Sequence, residues 1–553
     1  MSDLRRGLRS KVGRRVVGAV GSVAIIATAV RGQLVDRTWA PNTAGEGIAK
    51  TLAQQIGAGR GDWSTPDSSS FIIARDPFRA IRRGRQLFQR KFTRLNGLGP
   101  AVGDGVGDIQ ANLAIGAGLA DSCAACHGRP RGSAGFGGDV ATRPDSRDAP
   151  HLFGLGLKEM LADEITAELR AISAHAIREA RQSGHDVTAR LVGKKIEYGS
   201  ITAHPDGSVD TSAVHGVDPD LRIRPFFVHG GTISIREFVV GALQNEMGLQ
   251  AVDADLAAAA AGGRIRTPAG MVLDGSLDRI ETAPTSDLAA DPDQDGVASE
   301  IPQSLVDFLE FYLFNYFKPA TYRPGRDPIL VFRDEPRDGV EPGADAGTRG
   351  GRLMAQIGCT SCHVRNQRID YDRRVADVET EYDSKRGVFN NLFATATPLV
   401  LSTDDGSGYP PSKTPLGGAF LVRNIFTDFK RHDVGPAFYE RDYDGSLRKQ
   451  FLTTALWGVG TTAPYGHDGR SIGLTEVILR HGGEAQSARD AFAALEQGER
   501  TAMLDFLNSL VLFPPDDTAS NLDRGDPSVP NFPQFGHGSI KLGVLFNDPS
   551  DKE

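Results

Sequence analysis

The chain has 553 residues and a formal net charge of -8 at pH 7, with 40% hydrophobic and 24% charged residues. This length exceeds one ordinary core, and the composition is that of a globular protein rather than a disordered or membrane-spanning one. The acidic balance argues against a nucleic-acid partner and is compatible with a basic protein partner.

Residues 1–29 predict an export signal. A stretch with six Arg and Lys residues precedes a small apolar run of fifteen residues, and Ala27-Thr28-Ala29 fits the small-x-small cleavage pattern. The alternative is an uncleaved N-terminal anchor. In either case we expect a periplasmic or otherwise exported protein, in which residues 30–75 form a leader with few packing signals.

All four cysteines lie in two copies of one motif, Cys-x-x-Cys-His. The copies are Cys123, Cys126 and His127, and Cys359, Cys362 and His363. In an oxidising compartment four cysteines could form two disulfides, but a redox dithiol needs no following His and a zinc ribbon would place its pairs closer together. The motif is typical of c-type haem attachment, in which both thiols add to the porphyrin edge and the imidazole lies below the iron. The sequence therefore predicts two covalently bound c-type haems, each in its own domain.

The second axial ligand of each iron decides what the protein can do. An iron that is filled by two side chains carries electrons, whereas an open or openable iron can bind peroxide or dioxygen. Methionines are few in the second half of the chain, so a histidine is the expected ligand there. His467 and His481 bracket the segment that contains an amphipathic helix over 472–481, and His481 lies at the end of that helix.

Residues 453–485, "TTALWGVGTTAPYGHDGRSIGLTEVILRHGGEA", resemble the C-terminal block of the bacterial di-haem cytochrome c peroxidase and MauG superfamily. They are most similar to the branch called di-haem oxidoreductases, or thiol-oxidoreductase-like proteins. The stretches 97–128, 146–165, 429–438 and 498–510 resemble other parts of the same proteins, in matching order. The resemblance extends over about residues 75–515.

The resemblance implies that His481 is the distal ligand of the second haem, opposite His363. His467 would then lie near the haem edge in a supporting role and is the reserve choice as ligand. A haem with two histidine ligands would have a low potential compared with one that has a His and a Met ligand.

The resemblance also implies an acid–base role for Glu246. Residues 226–248 resemble the peroxidase segment in which a Glu precedes Met-Gly, and heterolysis of peroxide requires a proton carried by a group of this kind. The alternative is a solvated acid at a helix end. The chain has Val228-His229 where the peroxidases have Trp-Asp, so His229 is an alternative cap for the first iron.

An acidic loop precedes the end of the first half. Every second residue at its start is an aspartate: Asp291, Asp293 and Asp295. Glu300 follows them. Alternate carboxylates in a turn that contains Gly suit calcium, although the EF-hand pattern is not completed because its twelfth position is Pro302. The resemblance agrees, since members of the superfamily hold calcium between their haem domains. The alternative is an ordinary acidic surface loop.

We expect a mostly α protein: two cytochrome-c-like haem domains with a few short strands and long irregular segments. The first haem domain, with its insertion, would occupy 76–320, the second 321–515, and an irregular tail 516–553. Periodicity predicts a helix over 164–184 and another that runs into Gly358 before the second haem motif. The aromatic run 308–317 is expected in the core rather than at a cofactor.

The leading hypothesis is a di-haem oxidoreductase. Single electrons would come from a small carrier protein, a cytochrome c or a cupredoxin, and peroxide or another small oxidant would be reduced at the other haem. One alternative is an enzyme similar to the rubber oxygenases, which use dioxygen on an apolar polymer. Another is an electron-transfer cytochrome in which both irons are permanently six-coordinate. A homodimer would agree with the resemblance, because dimers are common among such proteins.

Overall fold

The computed structural model describes residues 51–90, 92, 122–127, 148–281, 289, 298–316, 320–321, 349–382, 392–441 and 445–511. The predicted export signal, the loop with Asp291, Asp293 and Asp295, and the C-terminal tail lie outside these residues. The chain divides into two units, of which the first ends at Gln54 and the second begins at Gln55. Apart from the start of the first helix, the elements described below belong to the second unit.

Twelve α-helices occur in the described residues. They are α1 (Leu52–Ile56), α2 (Ser69–Arg75), α3 (Pro77–Gln89), α4 (Cys123–His127), α5 (Leu155–Ser183), α6 (Ile235–Asn245), α7 (Ala254–Ala260), α8 (Gln303–Phe314), α9 (Arg349–Gln356), α10 (Leu474–Arg480), α11 (Gln486–Ala494) and α12 (Gln497–Asn508). The predicted helix over 164–184 is confirmed within α5. None of the described helices is both long and apolar enough to cross a lipid bilayer.

The expectation of a mostly α fold is wrong. Helix accounts for 39% of the described residues and strand for 17%. The strands are β1 (Val187–Gly193), β2 (Ile196–Ala203), β3 (Val209–Asp210), β4 (Arg264–Arg266), β5 (Val272–Asp274), β6 (Ala320–Thr321), β7 (Gln367–Ile369), β8 (Ala376–Tyr382), β9 (Leu392–Pro398), β10 (Val400–Thr403), β11 (Ser412–Pro415), β12 (Phe420–Val422), β13 (Arg431–Asp433), β14 (Glu440–Arg441), β15 (Leu447–Arg448), β16 (Gln450–Leu452) and β17 (Leu510–Val511). In this part of the chain they form one three-stranded sheet, β1-β2-β3, and seven antiparallel pairs.

The turn between β1 and β2 shows why this hairpin has no signal in the local sequence. Gly193 pairs with Ile196, so Lys194 and Lys195 form a two-residue turn, with φ angles of 47° and 67°. Such a turn normally contains Asn or Gly, and neither is present. The Lys194 N–H donates to Glu168 (2.7 Å), and this long-range contact stabilises a conformation that local sequence does not favour.

Helix α8 forms the centre of the first half of the protein. The side chains of Phe308, Tyr312 and Phe314 are at most 1% exposed, which confirms the aromatic run as core. Two glycines bring neighbouring helices against the α8 backbone. A Cβ at Gly84 of α3 would lie 2.1 Å from the carbonyl oxygen of Phe308, and one at Gly156 of α5 would lie 2.0 Å from that of Phe314.

Replacing Gly84 by Ala is therefore expected to force α3 away from α8. Overpacking of this kind typically costs about 1–3 kcal/mol of unfolding free energy. Chemical denaturation measures the loss. Gly498→Ala in α12 is the matched control, because no atom lies within 4 Å of the Cβ position there. A Gly84→Ala protein as stable as the control would contradict this close packing.

Candidate haem-binding sites

The first Cys-x-x-Cys-His motif forms the single-turn helix α4. The Nδ1 atom of His127 lies 2.7 Å from the carbonyl oxygen of Pro150, to which it donates a hydrogen bond. This bond fixes the ring and leaves Nε2 as the free acceptor. Burial lowers the pKa of His127 and raises the pKa of the Cys123 thiol to about 12. The imidazole is thus neutral, as a ligand to iron must be.

The second motif follows helix α9, as the sequence predicts. Gly358 ends the helix with φ 91°, and a 3-10 turn over Cys359–Ser361 presents the first thiol. The Nδ1 atom of His363 donates to the carbonyl oxygen of Phe426 at 3.0 Å. Burial and the nearby His481 lower the pKa of His363, which stays at about 4 despite the opposing bond to Phe426. All four cysteines are described, and no disulfide joins them.

The two motifs share one orientation of their histidines. In each, Nδ1 is bound to a main-chain carbonyl that belongs to a different segment, 23 residues away for His127 and 63 residues away for His363. In each, this bond leaves Nε2 as the unprotonated ring nitrogen of a neutral imidazole. A metal-ligating histidine typically has this pattern of hydrogen bonds.

His481 has the same pattern near the second site. It caps the C-terminus of α10, and its Nδ1 lies 2.8 Å from the carbonyl oxygen of Val477. Its ring is packed edge-on against Phe438 at 5.3 Å, and burial lowers its pKa. Its electrostatic effect on His363 places the two imidazoles in one neighbourhood.

An apolar cluster surrounds the second motif. Its buried members are Met354, Phe426, Leu474, Phe492, Met503, Phe506, Leu507 and Leu510. Cys359, Val477 and Ile478 pack against it but are only partly buried. Two thiols, the neutral imidazoles of His363 and His481 and partly covered apolar side chains are the donors and the lining that a c-type haem needs, so the residues present fit that group.

His467 lies beside His481 but has different partners. Its Nε2 is 3.4 Å from a carboxylate oxygen of Glu440, and its ring is stacked on Phe451 at 4.5 Å. Phe438 separates it from His481, with a ring distance of 6.2 Å to His467. The assignment of either histidine as the distal ligand stays a prediction.

The other predicted site residues lie elsewhere. Glu246 is the C-terminal cap of α6 and is half-buried, so its acid–base role stays a prediction. Glu300 is buried, and its carboxylate accepts a hydrogen bond from the main-chain N–H of Gln250. The three aspartates that would join Glu300 at calcium lie outside the described residues.

His432, which no sequence motif marks as a site residue, contacts the second motif. Its two ring nitrogens bind Asp428 (2.9 Å) and Glu484 (2.7 Å), and Cys362 lies within hydrogen-bonding reach. Burial opposes a charge on the ring, but these three partners outweigh burial and raise the pKa of His432 to about 11. His432 is therefore a cation beside the Cys362 thiol. The signal was absent from the sequence because Glu484 is 52 residues away.

These two sites have the donor sets of a protein that holds two haems. Residues 370–510 match the family model described as "Di-haem oxidoreductase, putative peroxidase". The match supports, over this segment, the family that the resemblance indicated. The matched segment contains Phe426, His467 and His481, whereas both Cys-x-x-Cys-His motifs precede it. Comparison with curated proteins and with solved structures found no match.

Proposed function

We propose that the protein is an exported di-haem c-type cytochrome that reduces peroxide with electrons from a small carrier protein. The observation that carries this proposal is the shared orientation of His127 and His363, each with Nδ1 bound to a carbonyl and Nε2 left for iron. The family match supports an oxidoreductase. When bound, haem supplies iron that accepts single electrons and binds small oxidants.

The two motifs would hold the haems in the same way. Cys123 and Cys126 would form thioether bonds at the first site, and His127 would bind iron through Nε2. The bond from His127 to Pro150 would prevent rotation of the ring and make it a stronger donor. Cys359, Cys362 and His363 would act alike at the second site.

His481 would give the second iron two histidine ligands and close it to small oxidants. The first site would then be the one at which peroxide meets the protein. This division of labour requires that no second side chain binds the iron at the first site. We assign the half-buried Glu246 as the carboxylate that lies there instead.

Glu246 would carry the proton that heterolysis of the peroxide O–O bond requires. General acid–base catalysis contributes about 10²–10⁴-fold to a rate, so Glu246→Gln is expected to lower peroxide turnover by about that factor. The visible and EPR spectra should not change, because Gln keeps the shape and leaves both irons alone. Glu179→Gln, on the exposed part of α5, is the matched control. Equal turnover in the two variants would show that Glu246 is only a surface acid.

Spectroscopy of the haem-loaded protein tests the proposed function. EPR and visible spectra are recorded in the fully oxidised and half-reduced states, each with and without cyanide or peroxide. We expect one high-spin, ligand-binding iron in at least one state. Two low-spin irons that ignore both ligands would overturn the proposal and leave an electron-transfer cytochrome. Oxygen consumption with an apolar polymer, but no peroxide turnover, would favour the dioxygen-using alternative.

The carrier and the location are part of the same proposal. The net charge of -8 favours a basic carrier, so the rate of reduction by a basic cytochrome c should fall as ionic strength rises. Export predicts a mature N-terminus that follows Ala29, which N-terminal sequencing of the periplasmic fraction would show. Cytoplasmic, unprocessed protein would contradict export.

We also propose that calcium binds the loop with Asp291, Asp293 and Asp295, together with Glu300. Support comes from Glu300, which is 2% exposed, and from Gln250 beside it, whose side-chain amide has no partner among the described residues. Removal of calcium with EGTA is expected to lower the thermal unfolding midpoint, and added calcium but not magnesium should restore it. An unchanged midpoint would favour an ordinary acidic loop.

A further inference from the structure

Helix α10, which leads to His481, has little apolar anchorage. Of its seven residues only Leu474 is buried, and Leu479 is 41% exposed. Val477 and Ile478 pack against the apolar cluster of the second site but are only partly buried. Because little apolar area is removed from water here, the position of the helix depends strongly on the polar contacts around its C-terminal end.

The turn that follows His481 is in direct contact with the end of strand β13. The N–H of Gly482 donates to the carbonyl of Val434 at 2.8 Å. At Gly483, which has φ 50°, an added Cβ would lie 2.3 Å from the carbonyl oxygen of Asp433. A side chain has no room at this point, so the glycines let the turn and the strand meet backbone to backbone.

His432, in the middle of β13, joins this turn to a second loop. Its Nδ1 atom donates to a carboxylate oxygen of Glu484 at 2.7 Å, and its Nε2 atom donates to a carboxylate oxygen of Asp428 at 2.9 Å. The other carboxylate oxygen of Glu484 accepts the main-chain N–H of Asp433 at 2.9 Å. Because each ring nitrogen faces a carboxylate, both carry hydrogen, and the imidazolium of His432 holds the two acids together.

Asp428 belongs to the loop that orients the histidine of the second motif. The carbonyl of Phe426, two residues earlier, accepts the hydrogen bond from Nδ1 of His363. The N–H of Thr427 donates to the carbonyl of Val364 at 3.1 Å, which binds the loop to the residue after that histidine. Asp428 itself is 1% exposed. The buried carboxylate therefore lies on the segment that sets the orientation of the His363 ring.

We propose that His432 is a positioning residue of the second haem site and that it acts through Glu484 to keep His481 on the iron. Glu484 follows His481 by three residues, and His432 fixes it relative to the loop that orients the other histidine. Rotation of the His481 ring is opposed by its bond to Val477, so the imidazole leaves the iron most readily when the turn itself moves. The inference rests on the proposed function, in that His481 must be the ligand of a bound haem.

Replacing Glu484 by Ala removes this bridge without opening the core, because the Glu484 side chain is 53% exposed and His432 keeps its bond to Asp428. In the oxidised, haem-loaded protein, the slow phase of cyanide binding measures the departure of the distal ligand, and it must be absent in His481→Gly. We expect Glu484→Ala to speed this phase about tenfold, the low end of what the loss of an outer partner of a metal ligand typically costs in metal affinity or activity. The low-spin EPR signal of the second haem should broaden. Glu484→Gln, which keeps one of the two acceptor oxygens, should have a smaller effect.

Asp490→Ala is the matched control. Asp490 is an acid of α11 that is 60% exposed and is bound by Arg489 and Gln486 of the same helix. Its removal changes the net charge by the same amount as Glu484→Ala but leaves the bridge intact. This variant should bind cyanide at the parent rate.

A slow phase in Glu484→Ala that is no faster than in Asp490→Ala, with both haems loaded, would overturn the proposal. If Glu484→Ala does not fold or load haem, Glu484→Gln alone decides: it must exceed the parent rate, and the parent rate overturns the bridge. An unchanged spectrum in His481→Gly would remove the ligand assignment and this inference together, whereas an opened iron there with an unaltered rate in Glu484→Ala would remove this inference alone. The test needs no peroxide chemistry, so a failure of the proposed peroxidase function would appear only in the peroxide assay.

Discussion

Replacing Arg236 by Met is expected to lower the unfolding free energy by about 3–5 kcal/mol, because it leaves buried carboxylates without their cation. Arg236 is fully buried in α6 and forms ion pairs with Asp253 (2.6 Å), Asp307 (2.9 Å) and Glu310 (2.7 Å). Two of these acids lie on α8, so the cluster anchors α6, which Glu246 caps, against the centre of the fold.

The loss should depend on pH in a known direction. Burial raises the pKa of Asp307, and it raises the pKa of Glu310 to about 6 from 4.5, even with Arg236 present. A carboxyl whose pKa is raised on folding favours the folded state when protonated, and this contribution is lost as the pH rises through the folded pKa. In Arg236→Met the destabilisation should therefore be small near pH 4.5 and should grow as the pH rises past 6.

Chemical denaturation over this pH range measures both effects. Arg190→Met is the matched control, because Arg190 forms an ion pair with Glu197 on the protein surface, where such pairs contribute about 0–1 kcal/mol. A loss in Arg236→Met no larger than in the control would show that the buried cluster does not anchor α6.

Replacing His481 by Gly is expected to open the second iron. One of the two haems should change from low-spin to high-spin and bind cyanide, and added imidazole should restore the low-spin spectrum by filling the cavity. The reason is that His481, with its Nδ1 bound to Val477, directs Nε2 away from α10 and shares a neighbourhood with His363.

His467→Gly distinguishes the two candidate ligands. Its ring is stacked on Phe451 and lies beside Glu440, so its loss should leave both haem spectra unchanged. An open iron in His467→Gly, with His481→Gly unchanged, would reverse the assignment. EPR of the two oxidised variants, recorded side by side, decides between them.

The sequence predicted those parts of the molecule whose signals are local. Helix α9 and its end at Gly358 follow from apolar spacing and from the conformational freedom of glycine, and the burial of Phe308 and Tyr312 follows from their place in a continuous apolar run. The haem motifs are equally local, because both thiols and the imidazole occupy one turn.

The features that were missed depend on partners far away in the chain. The turn at Lys194 has no Asn or Gly and is stabilised by Glu168 on another element, so its hairpin has no short-range signal. His432 is bound by Asp428 and also by Glu484, which is 52 residues further along the chain. Such contacts exist only after folding, and an isolated histidine in a sequence does not reveal them.

The mass of the denatured chain tests the central claim most directly. The protein is expressed in a host that matures c-type cytochromes, together with Cys123→Ser/Cys126→Ser and Cys359→Ser/Cys362→Ser. We predict that two haems stay attached to the parent chain after denaturation and that one stays attached to each variant. A parent chain that carries no covalent haem, or two variants that lose haem from the same site, would contradict the account.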